Sequence, residues 1–321
     1  MNGADIRSAL TAMLSGEMDT PTIAATLIQI EEEGVGAEQL AAGATVMREH
    51  MTRVSVPDNA IDIVGTGGTG LKLLSISTAA ALVVAGAGIP VAKHGNRGAS
   101  SPTGTADTLS ELGVNIAMPP ERAAAAVSEV GMGFLFAPTY HPAMRHVGPA
   151  RKQIGKRTIF NRLGPLCNPA GVKHMLLGSA EKHLVRPMAE ALKSNGVTSA
   201  MVVHGEDGMD EITTTGVTQI AQLKDDAIIE YEISPEDFGV ERTSLDTLSG
   251  GAPAENAAAL NRLLNNELTD YREIVCVNAG AAFMVAGIVD SIRGGFGLAD
   301  ILIESGEPKN VLTRLAEFSH G

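Results

Sequence analysis

Apolar positions along this chain follow two different periods, and the change between them falls near residue 60. Ile23, Leu27 and Ile30 share one face of a helix that Thr20-Pro21 opens with a cap and a proline at the first helical position, and Gly34 stops it. Leu40, Ala44, Met47 and Met51 repeat the spacing, which predicts an antiparallel helical pair at the start of a small helical domain. Residues 53–59, with Pro57, read as the linker out of it. Beyond that point short apolar runs at 61–64, 89–93, 114–117, 134–137, 175–179 and 200–203 predict strands. Helices are expected at 104–112, from Pro119-Pro120 to Val130, across 141–154 and between the last two of those strands. Two more strand candidates, 218–223 and 227–233, precede helices near 254–266, 273–288 and 297–305.

Alternation of this kind predicts an α/β fold with a mostly parallel central sheet, preceded by a small N-terminal helical domain. The stretch RTIFNRLGPLCNPAG, rich in proline and glycine, reads as a return of the chain across the domain boundary. The division expected is therefore a helical domain at 1–56, joined by a return segment near 151–171, and an α/β domain at 57–321.

Composition narrows the function classes. At 321 residues the chain can bury a large core, and 44% hydrophobic with 19% charged residues describes an ordinary globular protein. Trp is absent and there are only 3 Tyr and 7 Phe, too few for a base-stacking platform. A net charge of -13 also argues against an electrostatic nucleic-acid surface. Cys167 and Cys276 are far apart and belong to no CxxC motif, so they read as free thiols in a reducing cytoplasm. Asp5 and Arg7 interrupt any leader-like apolar run. The longest apolar run, 79–92, contains Gly86, Gly88 and Pro90 and is too short to span a bilayer, so no membrane partner is expected.

One stretch concentrates the candidate chemistry. Gly65, Gly67, Gly68 and Gly70 follow the apolar run 61–64 and precede a hydroxyl-bearing segment, Ser75, Ser77 and Thr78, that opens an alanine-rich helix. Glycines let backbone N–H groups approach an anion, and the first helical turn has unpaired donors and positive dipole. From Ile63 through Ala106 there is no Asp or Glu, while Lys72, Lys93 and Arg97 are cationic, a bias that burial alone would not produce. The loop matches G-x-G-x-x-G, yet a dinucleotide fold needs an acid about 20 residues on and none occurs before Asp107. A Walker A loop needs Lys after the closing glycine, where Leu71 stands. Lys93-His94-Gly95-Asn96-Arg97 follows a strand, where an α/β sheet presents its ligand crevice. Asp210 and Glu211, in the turn HGEDGMDEIT, read alone as solvated, and gain weight as cation ligands if a polyphosphate lies nearby. His141, His146 and His204 form no zinc spacing.

Taken together, DIVGTGG, VAKHGNRGASS with GTADTLSELGV, FLFAPTYHPAMRHV, RTIFN with LGPLCNPAG, VVHGEDGMDEIT and GGAPAENAAAL resemble the anthranilate phosphoribosyltransferase family, in the family's order and over nearly the whole chain. The resemblance implies a small helical domain beside a larger α/β domain shared in outline with pyrimidine nucleoside phosphorylases, and a homodimer. It implies transfer of the phosphoribosyl group of 5-phosphoribosyl 1-pyrophosphate to the amine of anthranilate, with Mg²⁺, in tryptophan biosynthesis.

Carried over to this chain, it would put Gly65, Gly67, Gly68, Thr69, Ser75, Ser77, Thr78 and Lys93 at the donor. It would put Asn96, Arg97, Gly98, Ala99, Ser100, Ser101 and Thr105 there as well. Gly65, His94, Asn96 and Arg151 would face anthranilate, Arg151 pairing with its carboxylate, and Ser77, Asp210 and Glu211 would hold the metal. Lys93, Ser77 and the bound Mg²⁺ would stabilise the transition state. The chain departs from the family pattern at Thr69 for aspartate, Ser75 for asparagine, Leu73 for threonine, Arg162 for an aliphatic residue and Cys167 for threonine. A paralogue with another acceptor or weakened catalysis, a nucleoside phosphorylase and a nucleic-acid-binding relative stand as alternatives at this level.

Overall fold

The computed structural model describes residues 1–98 and 102–321. Three helices open the chain, α1 (Gly3–Leu14), α2 (Thr20–Glu33) and α3 (Ala37–Glu49). Both helices expected from the apolar spacing are present, as α2 and α3, but they are not a packed pair: α3 packs on α1, which precedes them and is capped by Asn2, whose side chain accepts the Asp5 N–H at 3.0 Å. The cap of α2 is Asp19 rather than Thr20, accepting the Thr22 N–H at 2.9 Å, and α3 ends before Met51. A carboxylate one residue earlier reaches the same orphan donor, so propensity alone did not separate the two candidates.

The strands are β1 (Ile61–Gly65), β2 (Val91–Gly95), β3 (Met132–Phe136), β4 (His174–Gly178), β5 (Ser199–Gly205), β6 (Thr218–Lys224) and β7 (Ala227–Ile233). They form one sheet in the order β3-β2-β1-β4-β5-β6-β7, parallel through β5 and antiparallel for the last two pairs. Between and after them run α4 (Ile76–Gly86), α5 (Thr105–Glu111), α6 (Pro120–Glu129), α7 (Ala137–Tyr140), α8 (Gly148–Ile154), α9 (Ile159–Leu163), α10 (Val185–Ser194), α11 (Pro253–Leu264), α12 (Asp270–Val285), α13 (Ile292–Ser305) and α14 (Glu307–His320).

Three expectations are corrected. Residues 114–117 are not a strand: Ser319 Oγ accepts the Asn115 N–H at 2.8 Å and Asn115 Oδ1 accepts the Ala117 N–H, so side chains satisfy this backbone and no ladder is needed. The helix expected across 141–154 is broken into a 3-10 turn, Pro142–His146, and α8, because Pro149 cannot supply the N–H that would continue it. The chain does not finish with the helix near 297–305; α14 follows it after Gly306, with Pro308 in its first turn and Val311, Leu312 and Leu315 buried.

Helix α4 is apolar on every side because it is covered on every side, by β1 and β2 on one face and by α12, α13 and α14 on the other. The return segment packs with the N-terminal helices: α8 lies on α2, and α9 on α2 and α3. From β1 the chain first builds outward to β2 and β3, then crosses to β4 and β5 on the opposite side. Neighbouring connections leave the sheet in opposite directions there, which opens a crevice at the carboxyl ends of β1 and β4.

The crossing of α12 and α13 depends on two glycines. A Cβ on Gly280 would stand 2.8 Å from the Ile292 carbonyl oxygen, and one on Gly295 would stand 2.6 Å from the Gly280 Cα. Both obstacles are backbone, which cannot swing aside. Gly280→Leu is expected to lower stability by about 1–3 kcal/mol through overpacking, measured by urea unfolding; a loss within about 0.5 kcal/mol, the range of neutral surface changes, would mean that the helices separate freely.

Candidate active site

A cleft of about 340 Å³ lies at the crevice between β1 and β4, and every sequence-predicted donor, acceptor and metal residue that is described lines it. Ala99, Ser100 and Ser101 lie outside the described residues. The glycine loop after β1 forms one wall, with Gly67, Gly68 and Gly70 at φ of 62°, 73° and 77°, a left-handed run that side-chain-bearing residues rarely adopt. Ser77 and Thr78 enter from the first turn of α4, Lys93 and His94 from β2, and Asn96, Arg97 and Gly98 from the loop beyond it. Thr105 lines the cleft from the start of α5. On the opposite side stand Arg151 of α8, Phe160 and Asn161 of α9, and Pro165.

Glycines at strand ends bring the acidic turn in. A Cβ on Gly65 would meet Asp210 Oδ2 at 2.2 Å, and one on Gly178 would meet the Asp210 carbonyl oxygen at 1.5 Å. The turn between β5 and β6 therefore descends onto the ends of β1 and β4, and Asp210 Oδ2 accepts the Gly67 N–H at 2.7 Å. Asn278 of α12 pins the same turn from behind, its side chain accepting from Ile212 N–H at 3.0 Å and donating to Ile212 C=O at 2.9 Å.

Burial raises the Asp210 carboxyl above the usual range, against the Gly67 amide that favours its charge. Glu211 is raised further, by burial and then by the Asp210 charge beside it. Two carboxylates that resist being charged together, facing the Ser77 segment, suit a divalent cation. Among the described residues no cluster of three or more His, Cys, Asp or Glu exists, so such a cation would draw its remaining ligands from bound phosphate and water.

Lys93 is 1% exposed, and its ammonium donates to the Ile63 carbonyl and to Ser77 Oγ at 3.3 Å. Burial lowers its pKa to about 8, with Asp62, Glu211 and Asp210 opposing the shift. Asp62, fully buried and pushed up to about 6 by that burial, accepts the His94 N–H at 3.2 Å and an Asn168 amide N–H at 2.7 Å. Asn168 also donates to the Ala92 carbonyl at 2.8 Å. This clip fixes the end of β2, and with it Lys93 and His94. Residue reading left both supporting residues without a role, because their partners are more than 70 positions apart from Asn168 in sequence.

Other expectations shift in detail. Ser75 precedes α4 without capping it; its hydroxyl meets Thr108 Oγ1 at 2.7 Å. Arg97 pairs with Asp107 at 2.6 Å, so its charge is already engaged. Lys72, one of the three cations of the acid-free window, is exposed and does not line the cleft. The segment before α4 is held instead by the GGAPAEN turn: Gly250 N–H donates to Lys72 C=O at 2.9 Å and Leu74 N–H to Leu248 C=O at 3.0 Å.

Comparison with known proteins agrees with this geometry. The family model for the glycosyl transferase family, a/b domain, matches residues 57–309. The anthranilate phosphoribosyltransferase of Parvibaculum lavamentivorans is 50% identical over 321 residues, 100% of this chain and 94% of that protein. The chain belongs to the anthranilate phosphoribosyltransferase family. Among solved structures, the anthranilate phosphoribosyltransferase of Thermus thermophilus superposes with a TM-score of 0.94 at 41% identity, covering 100% of this chain and 96% of that one. The Saccharomyces cerevisiae anthranilate phosphoribosyltransferase in complex with PRPP and Mg gives 0.91 at 25% identity, covering 100% and 94%. The expected α/β class with its helical N-terminal part is thus that of the anthranilate phosphoribosyltransferases.

A histidine pair lies beside the cleft, with His94 in its lining. His94 and His141 have ring centroids 5.2 Å apart, and burial lowers their pKa values to about 3 and about 4. Unfolded, each binds a proton near 6.5, so acid favours the unfolded chain; the neutral pair's contribution is complete above pH 6.5 and is lost as pH falls through 4. His141→Gln is expected to flatten the fall in unfolding free energy between pH 6.5 and 4, by at most about 1.4 kcal/mol per pH unit. A variant that loses stability over this range as steeply as the parent would assign the titration to other groups.

Proposed function

We infer that this chain transfers the 5-phosphoribosyl group from 5-phosphoribosyl 1-pyrophosphate to the amine of anthranilate, giving N-(5-phosphoribosyl)anthranilate and pyrophosphate, in tryptophan biosynthesis. One observation carries the reading: a glycine loop with a helix start and a facing carboxylate pair share a single cleft with Arg151 and an apolar wall that includes Phe160. The named activity of a relative 50% identical along the whole chain supports it, as does the yeast relative's complex with PRPP and Mg.

Asp210, Glu211 and Ser77 would hold Mg²⁺, which would neutralise charge building on the departing diphosphate. The glycine-loop amides and the first turn of α4 supply fixed donors for phosphate oxygens. Lys93, with its ammonium held between Ser77 Oγ and the Ile63 carbonyl, keeps a positive charge near the same oxygens. Arg151 supports the acceptor: its Nη2 donates to Asn161 Oδ1 at 3.3 Å, and Phe160, Ala137 and Pro165 line an apolar wall for an aromatic ring. The aromatic amine is already nucleophilic, so positioning it contributes more than a strong base would.

The division into a helical part at 1–56 with a return segment near 151–171, and an α/β part from 57, belongs to the same reading. The packing of α8 and α9 on α2 supports it. A homodimer in the cytoplasm completes the proposal. Ile28, 45% exposed on α2, offers an apolar position for a contact between copies, and the two buried free thiols fit a reducing compartment.

Loss of anthranilate fluorescence on mixing with donor and Mg²⁺ tests the reaction. Combining Asp210→Asn with Glu211→Gln is expected to lower turnover by about 10²- to 10³-fold, whereas Arg151→Ala should raise the KM for anthranilate by about tenfold and leave that for the donor nearly unchanged. Turnover that persists without Mg²⁺, or without any dependence on Arg151, would defeat the assignment.

A further inference from the structure

Four alternating charges run from the N-terminal helices to the glycine loop. Arg162 of α9, with only 11% of its side chain exposed, donates through Nη1 to both oxygens of Glu31 on α2 at 2.9 and 2.7 Å. Its Nε and Nη2 donate to the two oxygens of Glu181 at 2.7 and 2.9 Å. Glu181 follows β4, so this second pair joins the return segment to the sheet. The same carboxylate faces Arg157 Nη2 at 3.9 Å, and Arg157 Nη1 donates to the Gly68 carbonyl at 3.2 Å. The guanidinium is close against the loop, since a Cβ on Gly68 would stand 3.0 Å from Arg157 Cζ.

The segment carrying Glu181 grips the loop a second time. Thr66 Oγ1 accepts the Ala180 N–H at 3.0 Å, and the Thr66 N–H donates to the Gly178 carbonyl at 2.9 Å. Glu181 itself is fixed by Ser179 Oγ, which accepts its N–H at 3.2 Å. Neither Arg157, Arg162 nor Glu181 lines the cleft, so none touches a ligand there directly.

We propose that Glu181 is a positioning residue for the glycine loop, clamped between Arg162 and Arg157 so that α2 and α9 set where the loop amides meet the donor's phosphates. The geometry gives the reason. The loop has three glycines in the left-handed region and few side chains to stiffen it, so its shape in isolation is loose. Gly68 offers its carbonyl to the Arg157 guanidinium, which makes this one hydrogen bond and is otherwise faced by Glu181 at 3.9 Å. Removing Arg162 would leave Glu181 mostly buried with one weak partner at 3.9 Å, free to draw Arg157 off the loop. The Arg162–Glu181 pair is bidentate and partly buried, and such pairs hold position far better than exposed ones. Because Glu31 sits on a different layer from Glu181, the relay also ties loop geometry to the seating of the N-terminal helices on the sheet.

This inference rests on phosphoribosyl transfer as the reaction, and failure of that reading appears in the parent protein as absence of turnover, before any variant is compared. The test is steady-state kinetics for each substrate, with calorimetric titration of donor and Mg²⁺, on the parent, Arg162→Met, Glu181→Gln and their combination. Each single change is expected to raise donor KM and Kd by about tenfold while the KM for anthranilate and kcat change less than about twofold. The double variant should be no worse than the poorer single one, because one relay is broken once. Glu31→Gln, on the outermost residue, gives a milder version expected to raise donor Kd by about threefold, and serves if Arg162→Met does not fold. Unchanged donor Kd in the folded variants, additive losses in the double variant, or an equal rise in both KM values would overturn the proposal.

Discussion

The site depends on one close approach: the backbone of Asp210 rests on the ends of β1 and β4, where Gly65 and Gly178 leave no side chain in its way. Any Cβ at Gly178 would overlap the Asp210 carbonyl, so the acidic turn and the glycine loop can share a cleft only with glycine there. The sheet order makes this the place where a crevice opens, and the approach fills its floor with negative charge. Everything else in the cleft answers that choice. Gly67 donates its amide to Asp210, Lys93 brings a buried cation within range of both carboxylates, and Asn278 anchors the turn from α12.

Charge in the cleft is balanced rather than excluded. Asp62 behind Lys93 and the Asp210–Glu211 pair in front of it each oppose the burial that would strip the ammonium of its proton. On the acid side, burial and mutual repulsion lift Glu211 well above an ordinary carboxyl. A fold that keeps these groups close stores unfavourable electrostatics, which binding a cation and a polyphosphate together relieves. Affinity for the pair should then exceed what either ligand reaches alone, since each removes a charge problem that the other would meet.

Much of the fold could be read from periodicity, because most strands and helices carry their own pattern over five or more residues. The edge strand 227–233 is a strong case, with Ile229, Tyr231 and Ile233 alternating with Glu230 and Glu232, whereas 218–223 carries a short apolar run without alternation. Where reading failed, the cause was local at Pro149, which splits 141–154, and distant at 114–117. Residues 114–117 are apolar enough for a strand, yet Ser319, more than 200 positions away, satisfies Asn115. The cleft itself was legible for a different reason: glycine, hydroxyl and charged residues bunched in an acid-free window have few other uses. Its supports were not. Asp62, Asn168, Arg157 and Glu181 look like ordinary polar residues until the fold puts their partners beside them.

The family departures in the glycine loop become intelligible once the sources of its shape are separated. Thr69 Oγ1 accepts the Leu71 N–H at 3.1 Å, so this residue stabilises a local turn without contributing charge. Leu73 is held through its backbone, by a bridge to Ser249 and by the Asn256 amide, and its half-buried side chain packs against the core beside the cleft. The Ser75 hydroxyl is spent on Thr108, and the Ser75 carbonyl accepts the Tyr271 hydroxyl at 3.0 Å. At Leu73 and Ser75 main-chain groups are held from outside the loop, by Ser249 and Asn256 at the first and by Tyr271 of α12 at the second, whereas Thr69 is held locally. Substitution at Leu73 or Ser75 therefore changes what the loop presents to the cleft, while the main-chain contacts at those positions need no particular side chain.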